Sequence, residues 1–332
     1  MIILSALVLA PRVGRAEEPS VTRSVAVQQT VTKALPYLWS KGEGWIEKRG
    51  CVSCHQVPTM LWSLSAAQQR GFEVDSERLR KWQEWSVTPA AFVRPNEREE
   101  QDVDQTLASN IDTLNMLLLA ADSDQASAPP PNPSAPPPKP SGAMWKNQFT
   151  SALIQNQAAD GSWRACGQLP AQKRPKQETT QVTVMWTLLA LTRQDKSPTD
   201  RESALAMTQN DQPLSTEYLA VRLLLSQHVK ELDLATLRRD LIDRQNEDGG
   251  WGWLSAETSD ALATGMAIYA LRYTSPPEEI ESSVAAADQF LIRTQRDDGS
   301  WNVPGTKQKT RDKPTPTSNY WGTGWAVIGL LE

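Results

Sequence analysis

Hydrophobic and polar positions divide much of this chain into two kinds of helical segment. In the first kind apolar residues fall on one face, as Phe149, Leu153 and Ile154 do. In the second kind small and apolar residues cover all sides, and this kind occupies residues 109–120, 179–191, 258–271 and 317–330. A helix that is apolar all round is buried on both sides. The pattern therefore predicts an all-α protein in which outer, amphipathic helices alternate with inner, buried helices.

One seven-residue phrase, Gln-x-x-Asp-Gly-Ser/Gly-Trp, separates an amphipathic helix from a buried one at three places. It occupies residues 157–163, 245–251 and 295–301, which we call the Gln–Trp turns. The Gly predicts a tight turn, the Gln can bond backbone groups left open at the helix end, and the Trp can pack back on the hairpin. A weaker copy without the Gln, Gly-Glu-Gly-Trp, stands at residues 42–45.

These phrases resemble the QW motifs of the squalene-hopene cyclase and protein prenyltransferase superfamily. The resemblance covers residues 25–332 and implies an α/α toroid, in which helical hairpins form inner and outer rings. We expect about six hairpins, near residues 25–70, 76–121, 143–193, 199–228, 231–273 and 282–331.

Two segments stand apart from the hairpins. The Pro-rich stretch 126–141 is typical of a polyproline-type spacer, which we interpret as a loop within one toroid, a boundary between two domains being the alternative. Residues 1–16 resemble the end of a secretory signal peptide whose basic start is missing, or else a buried first helix. We expect a bacterial protein exported to the periplasm or medium, with no transmembrane segment.

The sequence Cys51-Val-Ser-Cys54-His55 is the attachment pattern of c-type haem. Two thiols spaced by two residues reach one porphyrin edge, and the adjoining His supplies the proximal iron ligand. We therefore predict one covalent haem c per chain, held by Cys51, Cys54 and His55. Three alternatives stand beside it: a zinc site completed by Cys166 and His228, a plain disulfide, or a buried structural pair.

Aligning the inner helices places His55 at the start of the first one, at the end of the ring that carries the Gln–Trp turns. We call this end the mouth. The same alignment puts Trp62 in register with Trp186 and Trp325. Aromatic and methionine residues of inner helices are candidates to line an apolar cavity there, with plain core packing as the alternative: Met185, Trp186, Met266, Tyr320, Trp321 and Trp325.

The sixth iron position has one candidate protein ligand. His228 ends an inner helix and should lie at the opposite end of the ring from His55, so we exclude it. Met207 lies in the turn of the fourth hairpin, on the mouth side, and is the candidate distal ligand. An open or water-bound iron is the alternative. We interpret Cys166 as an unreactive buried thiol.

The resemblance also raises polyene cyclisation, which needs an acid near the start of an inner helix. The acidic run here, residues 102–106, ends Asp104-Gln105-Thr106 where the cyclase motif has a further Asp. The helix alignment assigns the acid's place to Ile111 instead. We therefore predict no cyclisation of polyenes, and the prenyltransferase zinc set has no counterpart.

Two functions remain from the sequence. The first is an exported haem protein that transfers electrons or binds a small molecule at iron near the mouth, with a redox partner or a small apolar ligand. The alternative is a terpenoid-cyclase-like enzyme or hydrophobic-ligand module in which Cys51 and Cys54 are structural. The net charge of −5 gives no reason to expect nucleic acid as a partner.

Overall fold

A computed structural model describes residues 24–52, 55–97, 102–126, 141–166, 171–310 and 312–332. Over these residues the chain forms α-helices joined by turns and two short 3₁₀ segments. In chain order the helices are α1 (Val25–Arg49), α2 (Val57–Gln69), α3 (Ser76–Ser86), α4 (Val103–Ala108), α5 (Ile111–Ala126), α6 (Ser141–Gln155), α7 (Lys176–Arg193), α8 (Arg201–Met207), α9 (Thr216–Ser226), α10 (Leu234–Ile242), α11 (Ala261–Thr274), α12 (Pro277–Thr294) and α13 (Pro316–Leu331).

Six of these helices close an inner ring. Helix α2 packs on α5, and the contacts continue through α7, α9 and α11 to α13, which packs back on α2. Helix α12 contacts α1 in the outer layer. The buried residues of α7, α9, α11 and α13 include nearly every side chain, as expected for helices with neighbours on both sides. The predicted α/α toroid of six hairpins is confirmed.

The three Gln–Trp turns have the same geometry. In each, a fully buried Trp donates its indole N–H to the carbonyl ten residues earlier, at the end of the outer helix. The pairs are Trp163 with Leu153 at 2.6 Å, Trp251 with Leu241 at 2.8 Å and Trp301 with Leu291 at 2.9 Å. The Trp therefore satisfies a helix-end carbonyl that has no partner within its own helix.

The Gln of each turn joins neighbouring hairpins. Gln245 Nε2 donates to the Gly249 carbonyl within the turn and to the Ser283 carbonyl of the next outer helix. Gln295 does the same with Gly299 and with the carbonyl of Thr30, so the last hairpin is tied to the first. This second bond closes the ring across almost the whole length of the chain.

Two sequence expectations about local structure were wrong. The weak copy at residues 42–45 does not form a turn, because α1 runs through it to Arg49. The alignment of the inner helices also puts Thr179 and Ser318, residue types that cap helices, at helix starts, but α7 starts after Pro175 and α13 is capped by Thr315. Asp260, aligned in the same way, does cap α11.

Residues 1–23 and 127–140, which hold the predicted signal segment and most of the Pro-rich stretch, lie outside the described residues. The parts of the chain before and after the second segment are joined in the core, where Asn115 Nδ2 of α5 donates to Thr187 Oγ1 of α7 at 2.8 Å. Within the described ranges no helix has both the length and the apolarity needed to cross a membrane.

Candidate functional site

A largely apolar, partly enclosed cavity of about 50 Å³ lies on the ring axis near the mouth. All six inner helices contribute to its wall, including Trp62 of α2, Met116 of α5 and Met266 of α11. Small-molecule sites usually enclose roughly 300–1,000 Å³. The cavity therefore has room for only a few heavy atoms, far fewer than a tetrapyrrole or a polyene contains.

Tryptophans form much of the wall. The ring of Trp325 lies 5.4 Å from that of Trp62 and 6.0 Å from that of Trp186, measured between centroids. The predicted register of these three residues is thus confirmed. Of the six inner-helix candidates, Trp186, Met266, Trp321 and Trp325 line the cavity, and Met185 and Tyr320 are packed in the core.

The cysteine–histidine segment joins α1 to α2 at this cavity. Trp45 Nε1 donates to the Cys51 carbonyl at 2.9 Å, and the Tyr320 hydroxyl donates to the Gln56 carbonyl at 3.0 Å. Cys51 is half-buried, whereas Cys54 lies outside the described residues. The described backbone on both sides of Cys54 is therefore held by aromatic side chains of helices α1 and α13.

His55 is buried in the cavity wall, directly before the cap of α2, as the alignment predicted. Its ring lies 5.8 Å from that of Trp321. Burial, and then the charge of Lys307, lower the pKa of His55 to about 4. The imidazole is consequently neutral at pH 7, which is the form that binds a metal ion.

Two carboxyl groups share the same cavity. Asp112 of α5 accepts hydrogen bonds from Thr183 Oγ1 and from the Cys166 backbone N–H, both at 2.8 Å. Burial, with a further contribution from the charge of Glu217, raises the pKa of Asp112. Glu217 of α9 is paired with Arg174 at 2.8 Å and accepts the Trp186 indole N–H at 3.0 Å.

Asp112 is a functional candidate that the sequence analysis missed. The helix alignment assigns the place of the cyclase acid to Ile111, and Ile111 is in the hydrophobic core. Asp112, the next residue, lies in the cavity because it contacts the third hairpin. These contacts join distant parts of the chain, so no local sequence pattern predicts them. The acidic run behaves as a helix start instead: Asp102 caps α4 and Asp104 is exposed.

Two loops cover the mouth. Gln172, before α7, and Lys307, before α13, form an antiparallel bridge, and the Lys173 N–H donates to the Thr306 carbonyl at 2.8 Å. Gln172, Thr306 and Lys307 also line the cavity. These loops close the cavity on the side where the inner helices begin.

The other predicted metal candidates lie apart from His55. Met207 ends α8, half-buried, and is not among the residues lining the cavity; Met116 and Met266 are. His228 follows α9, and its pKa is lowered by burial and by the charge of Arg193, which belongs to the far end of the ring. No cluster of three or more His, Cys, Asp or Glu suited to a metal ion occurs among the described residues.

Comparison with known proteins defines the class of fold. A protein from Actinoplanes has a similar structure, with a TM-score of 0.59 and 13% identity over 92% of this chain and 98% of that one. A possible member of the GH105 family from Klebsiella pneumoniae gives 0.53 and 13% over 98% of both chains. A type II terpene cyclase from Scytonema gives 0.49 and 12% over 92% of this chain and 97% of that one.

The likeness to the first two structures establishes the α/α toroid fold and, at this identity, the fold alone. No known protein family matches the sequence, and no curated protein matches it.

Proposed function

We propose that this chain is an exported c-type haem protein built on an α/α toroid, with haem c attached through Cys51 and Cys54 and His55 as an axial iron ligand. The observation that carries the proposal is the position of His55. His55 is the last residue of the attachment pattern, and its neutral imidazole is buried at the start of an inner helix.

The donor types suit this cofactor, but the cavity beside His55 is too small for a porphyrin, so the proposal requires the haem to lie outside that cavity. Iron needs a neutral imidazole, and burial keeps His55 in that form far below neutral pH. Trp321 packs against the ring and Tyr320 holds the backbone at Gln56, so the ligand is oriented by its neighbours. When bound, haem supplies one-electron transfer or binding of a small molecule at iron.

The chain's own residues provide a cavity next to His55 that can hold a proton. Asp112, whose pKa is raised, can hold that proton, and the Arg174 charge compensates Glu217. Trp62, Trp186 and Trp325 form much of the apolar wall of the same space. Small molecules of a few heavy atoms fit the cavity, which suits an electron-transfer or gas-binding role.

Haem staining after denaturing electrophoresis tests the proposal, because only thioether-bound haem survives denaturation. The protein is exported in a host with cytochrome c maturation. Wild type and Cys166→Ser should stain equally, and the Cys51→Ser, Cys54→Ser double variant should not stain. A fully exported wild type without stain would end the proposal.

The sixth position of the iron is tested separately with carbon monoxide. We expect open or water-bound iron, so the ferrous protein should bind carbon monoxide and shift its Soret band. Met207→Ala and His228→Ala should leave the spectrum unchanged. If Met207→Ala opens a site that wild type lacks, Met207 is the ligand. If His228→Ala abolishes a bis-histidine spectrum, the assignment of the two ends of the ring is wrong.

A second candidate function rests on Asp112 alone. A buried acid of raised pKa facing a tryptophan wall is the arrangement that protonates an alkene or holds an apolar ligand. The test is tryptophan fluorescence during titration with a five-carbon isoprenoid alcohol. Saturable quenching in a haem-free protein, lost in Asp112→Leu, would favour this function over the first. Squalene should give no cyclic product, since the cavity is too small.

A further inference from the structure

The far end of the toroid, where the inner helices end, holds a second cavity. It has a volume of about 100 Å³. Its wall combines two arginines with tyrosines and carboxylates: Arg70, Asp122, Arg193, Tyr269, Tyr273 and Glu332. None of these residues takes part in the site at the mouth.

Arg193, the last residue of α7, is the unusual member of this wall. Its side chain is only 7% exposed, although it carries a permanent charge. Its Nη1 lies 3.8 Å from Asp122 Oδ2, and its guanidinium carbon lies 4.4 Å from the centre of the Tyr273 ring. These contacts hold the guanidinium group through Nη1 and through the face that lies against Tyr273.

The other edge of this guanidinium is only weakly satisfied. The Tyr269 hydroxyl interacts with Arg193, but Nε and Nη2 are buried and neither makes a hydrogen bond of ordinary geometry among the described residues. These two nitrogens carry parallel N–H groups on the same edge of the guanidinium, the fork that binds two oxygens of a carboxylate or phosphate. Buried donors are nearly always satisfied in proteins, by a protein group or by ordered water, and this fork in a polar cavity leaves a place for two acceptor oxygens.

Arg70, at the end of α2, brings a second positive charge to the same wall. Its Nη2 lies 3.8 Å from Glu332 Oε2, with both side chains about a third exposed. This pair is long and partly solvated, so Arg70 can turn toward an anion at little cost.

We propose that this cavity binds a small oxyanion, a phosphate or a carboxylate group, held by the Arg193 fork and by Arg70. The site is independent of the haem proposal, because it uses the opposite ends of the inner helices.

Calorimetric titration of the full exported chain tests the site with inorganic phosphate, acetate and chloride in turn. Phosphate or acetate should bind measurably in the millimolar range or below, and chloride should bind more weakly, because one atom cannot use both N–H groups. The separate titrations with phosphate and with acetate show which of the two oxyanions the cavity binds. Arg193→Gln should weaken oxyanion binding at least tenfold, and Arg239→Gln, an exposed arginine of α10, should leave it unchanged.

Arg70→Gln provides a second variant, because the Arg70 side chain is about a third exposed and its ion pair with Glu332 is long, so its replacement should perturb the fold little. It should weaken binding several-fold. Absence of oxyanion binding by wild type would overturn the proposal, and so would equal binding by wild type and both arginine variants. The haem stain is unaffected by either result, so failure of this site and failure of the haem proposal are distinguishable.

Discussion

The first hairpin of the toroid and the three hairpins with Gln–Trp turns connect their outer and inner helices in different ways. In the third, fifth and sixth hairpins a buried Trp and a Gln make the same hydrogen bonds at each turn. In the first hairpin α1 continues past the place of that turn, and a short segment with Cys51 and His55 leads into α2. The repeated turns join neighbouring hairpins, and the first connection, which departs from them, carries the candidate chemistry.

The largest effect should come from removing a tryptophan of a repeated turn. Trp251→Ala should lower the free energy of unfolding by about 3–5 kcal/mol, because a fully buried aromatic ring and its hydrogen bond are lost. Trp45→Ala, the matched change beside the first connection, should cost less, about 2 kcal/mol, because Trp45 is only half-buried and loses one bond, to the Cys51 carbonyl. Urea denaturation measures both. Equal losses would mean that the two kinds of connection contribute alike.

The next effect concerns helix caps. Asp260, the cap of α11 after a repeated turn, has a pKa raised to about 6, because burial outweighs its hydrogen bonds from backbone N–H groups. The unfolded chain ionises this group near pH ~4. The protonated Asp260 side chain therefore stabilises the folded state fully below pH ~4. This stabilisation is lost as the pH rises through about 6.

Between pH 4 and pH 7 the free energy of unfolding of Asp260→Asn should consequently rise by up to about 3 kcal/mol relative to that of wild type. Urea denaturation at each pH measures this difference. Gln56, the cap of α2, makes no side-chain capping bond, so Gln56→Ala should show no such dependence. A constant difference between wild type and Asp260→Asn would contradict the assignment.

A smaller effect on stability should distinguish two glycines, Gly299 and Gly44. Gly299 has a φ of +82°, and a Cβ there would meet the Lys33 carbonyl of α1. Gly299→Ala should cost about 2 kcal/mol, from the left-handed backbone and this contact. Gly44, in the weak copy, has open space around it inside α1, so Gly44→Ala should stabilise by about 0.5–1 kcal/mol. Thermal unfolding of both variants checks the opposite signs.

Sequence reasoning succeeded where the information is local and repeated. The Gln–Trp turns predicted the hairpins, and the apolar helices predicted the register of Trp62 with Trp186 and Trp325. Counting residues from the first inner helix was enough to place His55 at its head.

It failed where distant segments decide the environment of a residue. Asp112 becomes a cavity acid only through Thr183 and Cys166, and the cover of the mouth needs Gln172 beside Lys307. The weak copy at residues 42–45 misled because packing, and not a turn, requires one of its glycines: a Cβ on Gly42 would meet Met60. No short pattern encodes such contacts.

The central claim is that the first connection, unlike the repeated turns, holds a covalent cofactor. The most direct measurement is the intact mass of the exported chain after denaturation, for wild type and for the Cys51→Ser, Cys54→Ser double variant. We predict that wild type carries the added mass of one haem and that the double variant has the mass of the polypeptide alone. A wild-type mass equal to that of the bare polypeptide, from a host that matures other c-type cytochromes, would contradict the claim.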